Sequence, residues 1–190
     1  MRGLSQTKED ILKRLWGIEN PVNLKEISEK MGFKIRSTYT HLLGLRKAGY
    51  ISLTEGAYYT LTESGKEIIG FPKVDENLAN RVLSQASPEK SFHFYVSIGQ
   101  PSGVSSDNLI DFCEKIKSFD TRSIEFHAAR GDFESWIHSL GDIELAKRMG
   151  LIREENLKGE ALREKLYETI ESRCDELLKK ASQKNFPRLG

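Results

Sequence analysis

Two groups of side chains in this 190-residue chain have types and spacings that could do chemistry. The first runs from Lys34 to Lys47, where Arg36, Ser37, Tyr39, Thr40, Leu43 and Lys47 recur opposite an apolar stripe of Thr38, Leu42 and Leu45. A helix that hides one face and offers the other can lay the offered face in the major groove of double-stranded DNA. Arg36 could then reach guanine O6 and N7, Tyr39 and Thr40 a phosphate or a base edge, and Leu43 a thymine methyl, while Lys34 and Lys47 meet phosphate. A solvated helix face carries the same pattern, so the spacing alone does not separate the two readings.

The second group is His93, Tyr95, Glu125 and His127, with Arg130 nearby. The runs at 92–98 and 123–128 both alternate and read as strands; if they pair, these four side chains share one face and Arg130 sits at its rim. That face could be a pocket for a small anionic or sugar-like effector, or a structural hydrogen-bond network. Two imidazoles and a carboxylate are also the donors of a facial metal triad, although no metal or cofactor is assigned. Neither a nucleophile motif nor a phosphate loop is present, and no enzyme is expected.

The elements that must position the first group are legible. Thr7 and Asp10 open a helix carrying Ile11, Leu12, Leu15 and Trp16 to Gly17. Asn23 caps a second helix with Leu24, Ile27 and Met31 inward and Gly32 as its stop. A third, over 36–48, follows a short glycine turn, and the pair reads as a helix-turn-helix. Tyr50–Thr54 and Ala57–Leu61 read as strands joined by a two-residue Glu55–Gly56 turn, and Thr62 caps a last helix to about Ile69. Ser37-Thr38-Tyr39-Thr40-His41-Leu42-Leu43-Gly44-Leu45-Arg46-Lys47-Ala48-Gly49-Tyr50-Ile51 resembles the recognition helix and first wing strand of archaeal-type winged helix-turn-helix transcriptional regulators. Tyr59-Thr60-Leu61-Thr62-Glu63-Ser64-Gly65 is similar to their second wing strand and the turn beyond it. The tip departs from that pattern, offering Glu55 and Gly56 where many wings place Arg or Lys.

Beyond Pro72 a connector helix is expected over Val74–Ala86, suited to a dimer seam, followed by the strand at 92–98 and a Gly/Ser-rich loop from Gly99 to Ser106. A helix with Leu109, Ile110, Phe112, Cys113 and Ile116 comes next, then the strand at 123–128, Asp132 as an N-cap, and helices at 143–149 and 160–181. The last repeats Leu162, Leu166, Ile170, Cys174 and Leu177. From about residue 88 to 150 these elements resemble an uncharacterised prokaryotic domain family.

The expected fold class is α+β: a winged helix-turn-helix domain at 1–72, a linker helix at 73–90 and a small α+β sensor or assembly domain at 91–190. Net charge is +1, but residues 1–72 hold 11 Lys+Arg against 8 Asp+Glu and residues 73–190 hold 18 against 20, so the basic excess lies where phosphate contacts are needed. Cys113 and Cys174, with no CxxC spacing, read as ordinary thiols. Without a signal-peptide core or an apolar run of roughly 18 residues, the expectation is a cytoplasmic protein with no membrane contact. The leading expectation is a DNA-binding transcriptional regulator acting as a homodimer, its second domain sensing a small-molecule effector or assembling the protein. The rivals are a winged-helix protein-interaction module and a metal- or ligand-binding, enzyme-like second domain using His93, Glu125 and His127.

Overall fold

The computed structural model describes residues 4–18 and 21–182. The fold is α+β and divides into two compact units, Met1–Lys73 and Val74–Gly190. No helix among the described residues is long and apolar enough to cross a membrane.

In the first unit the order is α1 (Gln6–Gly17), β1 (Val22–Asn23), α2 (Leu24–Met31), α3 (Ile35–Lys47), β2 (Ile51–Thr54), β3 (Tyr58–Leu61) and α4 (Glu63–Ile68). The α1 start lies one residue before the expected Thr7, with Ser5 at the N-cap position. Asn23 caps α2 through a reciprocal box: its side chain accepts from the Glu26 amide, and the Glu26 carboxylate accepts from the Asn23 amide. Gly32 ends α2 in the left-handed conformation, at φ 67°. The three strands form an antiparallel sheet in the order β1-β3-β2. Strand β1 has only two residues, too short for any periodicity to announce it. The expected two-residue turn is a three-residue one, Glu55–Ala57, because Thr54 pairs with Tyr58; both Gly56 and Ala57 take positive φ. Thr62 caps α4 as expected, accepting from the Gly65 amide, and its hydroxyl donates to the Gly49 carbonyl 2.7 Å away. Ile11, Leu12, Ile27, Leu42, Leu45 and Ile51 form the core of this unit.

The second unit holds α5 (Glu76–Leu83), β4 (Phe92–Ser97), β5 (Gln100–Ser106), α6 (Leu109–Ser118), α7 (Thr121–Arg130), α8 (Asp132–Leu140), α9 (Ile143–Glu154) and α10 (Gly159–Ala181). The connector helix forms as α5, but Leu78, Ala79 and Val82 are buried in this unit's core and are not free for a dimer seam. Two expectations are overturned. The Gly99–Ser106 loop is largely strand β5, paired antiparallel with β4, with Phe92 opposite Ser106 and Ser97 opposite Gln100. The run at 123–128 is helix, not strand: Asp120 caps α7, Gly131 ends it at φ 72°, and Ser123, Ile124, His127 and Ala128 are its buried face.

This exchange of partners fits the hydrogen bonds of β4. Its register with β5 is irregular, and the Ser102 hydroxyl donates to the Phe94 carbonyl at 2.8 Å. On its other edge no strand is needed, because α7 supplies the partners: the Tyr95 amide donates to His127 Nε2 at 2.8 Å and the Tyr95 carbonyl accepts from the Ser123 hydroxyl at 2.7 Å. Tyr95 stands opposite Pro101, which has no N–H to give. Behind the hairpin lies an aromatic core of Phe92, Phe94, Phe112, Phe133 and Trp136. The α10 stripe is core as well; the Cys113 and Cys174 thiols are both buried, and Cys174 Sγ donates to the Leu109 carbonyl at 3.9 Å. Arg173, on the same helix, is buried against Asp142 in a bidentate pair (2.7 and 2.9 Å), with Glu176 at 2.7 Å and Glu144 at 3.3 Å.

Candidate functional site

The exposed face of α3 is the first candidate. Thr38, Leu42 and Leu45 are buried, as the spacing required, while Lys34, Arg36, Ser37, Tyr39, Thr40 and Lys47 are exposed and Leu43 is half-buried. The Thr40 hydroxyl donates to the Arg36 carbonyl at 3.0 Å, so its oxygen lone pairs rather than its proton are left to a ligand. Gly44 gives room to a cation from another helix: a Cβ there would meet the Lys8 ammonium at 3.0 Å. Residues 31–54 carry Lys34, Arg36, Arg46 and Lys47 and no Asp or Glu. Sequence spacing does not single out Lys8 or Arg46; only the packing of α1 on α3 brings Lys8 to this helix. The hairpin tip is Glu55–Ala57 and has no basic residue.

The second candidate is a cavity of about 380 Å³ at the β4–α7 junction. His93, Tyr95, His127 and Arg130 all border it, so four of the five expected pocket residues meet, though not by strand pairing. Glu125 does not join them: on a helix it turns away and accepts from the Gly159 amide at 2.6 Å, holding the start of α10. The facial triad is therefore not assembled, and the described residues contain no cluster of three His, Cys, Asp or Glu side chains suited to a metal. Asp132, expected as an N-cap, is instead the first residue of α8, and its Oδ2 accepts from His127 Nδ1 (2.8 Å) and Arg130 Nε (3.1 Å).

These contacts decide what His127 can do. Nε2 accepts from a backbone N–H, so the ring is neutral with its proton on Nδ1, directed at Asp132. Burial pushes its pKa below the usual histidine range, and this outweighs the opposing pull of Asp132. An Asp–His pair beside a cavity resembles a general base, but the nitrogen that would take a proton is already occupied. His127 holds the strand to the helix. The groups open to a ligand include the Tyr95 hydroxyl and the two Nη groups of Arg130, which have no hydrogen-bond partner among the described residues, beside Phe92, Phe126 and Ile98; His93 and Asp132 line the same cavity. Phe126 and Ile98 are not among the residues expected at the site; the alternation over 92–98 puts Ile98 on the face of Phe92 and Phe94, but β4 ends at Ser97 and Ile98 stands 82% exposed in the β4–β5 turn. His93 also borders a more polar cleft of about 670 Å³, where the Lys115 ammonium is already held by Asp111 and the Ser105 carbonyl.

Residues 51–171 match a family model described as a family of unknown function, DUF5752. The chain belongs to this family. The match takes in the β2–β3 hairpin, α4 and the second unit as far as the middle of α10; it includes every residue bordering the 380 Å³ cavity and leaves α3 outside. No curated protein and no solved structure matches the chain.

Proposed function

We propose that the first unit is a winged helix-turn-helix domain that reads double-stranded DNA in the major groove with the 36–48 helix, and that the chain is a transcriptional regulator. The observation that carries this reading is the α3 face: three side chains anchor the helix in the core while its exposed side carries Arg36, Tyr39, Thr40 and Lys47 within a stretch of 24 residues, 31–54, that has four basic side chains and no acidic one. In this reading α2 and α3 are the helix-turn-helix pair and β2–β3 is the wing. Because one small module seldom supplies enough affinity and specificity, the regulator binds as a homodimer to two half-sites one helical turn apart. With Glu55 at its tip, the wing adds shape rather than phosphate contacts.

A gel-shift titration of the full chain against fragmented genomic DNA tests this at several salt concentrations. Binding should weaken steeply with salt, and Lys47→Ala should lower the slope of log affinity against log salt by about one. Arg36→Ala should cost roughly 1–3 kcal/mol and relax selectivity at one base pair. No binding at low salt refutes the proposal. A second reading has an observation of its own: Ile35 is 54% and Tyr39 50% exposed, enough apolar surface beside Phe33 for a protein partner. DNA affinity unchanged in the combined Arg36, Tyr39 and Lys47 alanine variant would favour it.

A further inference from the structure

We propose that the cavity at the β4–α7 junction binds a small organic monoanion: a carboxylate held by the Arg130 guanidinium, with an aromatic ring seated against Phe92, Phe126 and Ile98. The site lies wholly in the second unit and does not rest on the DNA reading. Arg130 is presented rather than consumed. Its Nε is fixed by Asp132 at 3.1 Å and its guanidinium carbon lies 5.2 Å from the Phe126 ring centroid, so two contacts set its plane while both Nη groups keep their protons for a planar, two-oxygen acceptor. Asp132 meets Arg130 only at Nε, through the same Oδ2 that accepts from His127, and so leaves both Nη groups to the ligand. The floor is apolar, and Ile98, standing 82% exposed at the cavity edge, is the surface a ring would cover. Tyr95 adds a hydroxyl on the same cavity, the kind of sparse polar handle that orients a ligand in an otherwise apolar pocket. At about 380 Å³ the cavity falls at the small end of ligand sites, which suits a single ring with a short acid arm.

The class requires both halves of the molecule, and the probes separate them. Phenylacetate, phenylacetamide and acetate are titrated separately into the ¹⁵N-labelled full chain while the amides of Ile98, Gly99 and Arg130 are followed. Phenylacetate should shift these amides saturably. Phenylacetamide, which keeps the ring and loses the charge, should bind about ten- to a hundredfold more weakly, and Arg130→Gln should weaken phenylacetate by a similar factor. Ile98→Ser, at an exposed hairpin tip, should weaken phenylacetate while leaving the rest of the spectrum in place. The absence of saturable shifts with phenylacetate overturns the proposal. So does equal binding of phenylacetamide, because Arg130 is then not reading a charge, and so does an equal response to acetate, which marks only surface attraction of an anion. All three probe arms use the wild-type chain, so the proposal stands or falls without any variant having to fold.

Discussion

Replacing His127 tests the role of this ring at the β4–α7 junction most directly. The ring is 3% exposed and packs within 4.8 Å of Phe92, 5.1 Å of Phe126 and 5.8 Å of Phe133, centroid to centroid. Truncation to Ala leaves a cavity worth about 2–4 kcal/mol and orphans the Tyr95 amide for roughly 1–3 more, so His127→Ala should destabilise the second unit by about 3–7 kcal/mol. Two closer mimics divide that loss. Gln can place an oxygen where Nε2 accepts from Tyr95, whereas Asn can place a donor where Nδ1 meets Asp132. Asp132 retains Arg130, but the Tyr95 amide has no other acceptor among the described residues, so His127→Gln should be more stable than His127→Asn by about 1–2 kcal/mol. The pH dependence has a definite sign. Because the folded pKa lies below the unfolded one, the unfolded chain binds the proton first as pH falls; the stabilisation is present above about pH 6.5 and is lost on acidification toward the folded pKa, by at most about 1.4 kcal/mol per pH unit. Urea unfolding followed by Trp136 fluorescence, in a Trp16→Phe background so that only the second unit reports, gives both quantities. A wild type whose stability rises on acidification would show that Asp132 outweighs burial and that His127 is cationic in the fold, and a loss below pH 6.5 no larger than in the Gln variant would show that burial does not lower its pKa.

Two further perturbations probe each unit's scaffold. Gly65→Ala should cost the first unit about 3 kcal/mol by Trp16-detected unfolding, because a Cβ there would lie 2.1 Å from the Tyr50 carbonyl oxygen and 2.7 Å from Leu61 Cδ1; a loss under about 1 kcal/mol would mean that α4 does not dock on that turn. Arg173→Met should cost the second unit about 3–5 kcal/mol by leaving Asp142, 1% exposed, without its buried cation while Glu144 keeps Arg148 at 3.3 Å, and Arg173→Lys should recover only part because it cannot grip Asp142 with two parallel hydrogen bonds. Near-wild-type stability of the Met variant would show that the Asp142 carboxylate finds another partner.

How much a sequence discloses depends on how local the determining contacts are. Helices α2 and α3 are legible because cap, stripe and stop all lie within one short window: Asn23 with Glu26, then Ile27, then Gly32, and Thr38, Leu42 and Leu45 after it. Strand β5 is not, since Pro101, Gly103 and its serines are poor strand formers, and the segment pairs through an irregular register tied by the Ser102 side chain. The α7 segment invites a strand assignment because six alternating residues fit either period, yet the deciding signals stand just outside: Asp120 before it and Gly131 after it, with Ser123, Ile124, His127 and Ala128 at helical spacing. The same ambiguity misplaces Glu125, whose partner Gly159 lies 34 residues away. His127 and Arg130 reach the cavity nonetheless because residues three apart share a helix face, just as residues two apart share a strand face.

The limits of the family match bear on how the two proposals relate. The matched region, 51–171, contains Tyr95, Ile98, Phe126, His127 and Arg130, but α3 ends at Lys47, before it begins. Whatever the members share through that region must therefore reside in the hairpin, α4 or the second unit, and the 380 Å³ cavity there offers the Arg130 Nη donors above an apolar floor. DNA reading by α3 is a proposal about this chain. Each residue that ligand binding at Arg130 needs lies inside the match. The titrations thus carry the wider consequence: saturable binding of phenylacetate that falls with Arg130→Gln would predict the same behaviour in any member that keeps an arginine one helical turn beyond the histidine that holds β4. A gel shift, whatever its outcome, leaves that prediction untouched.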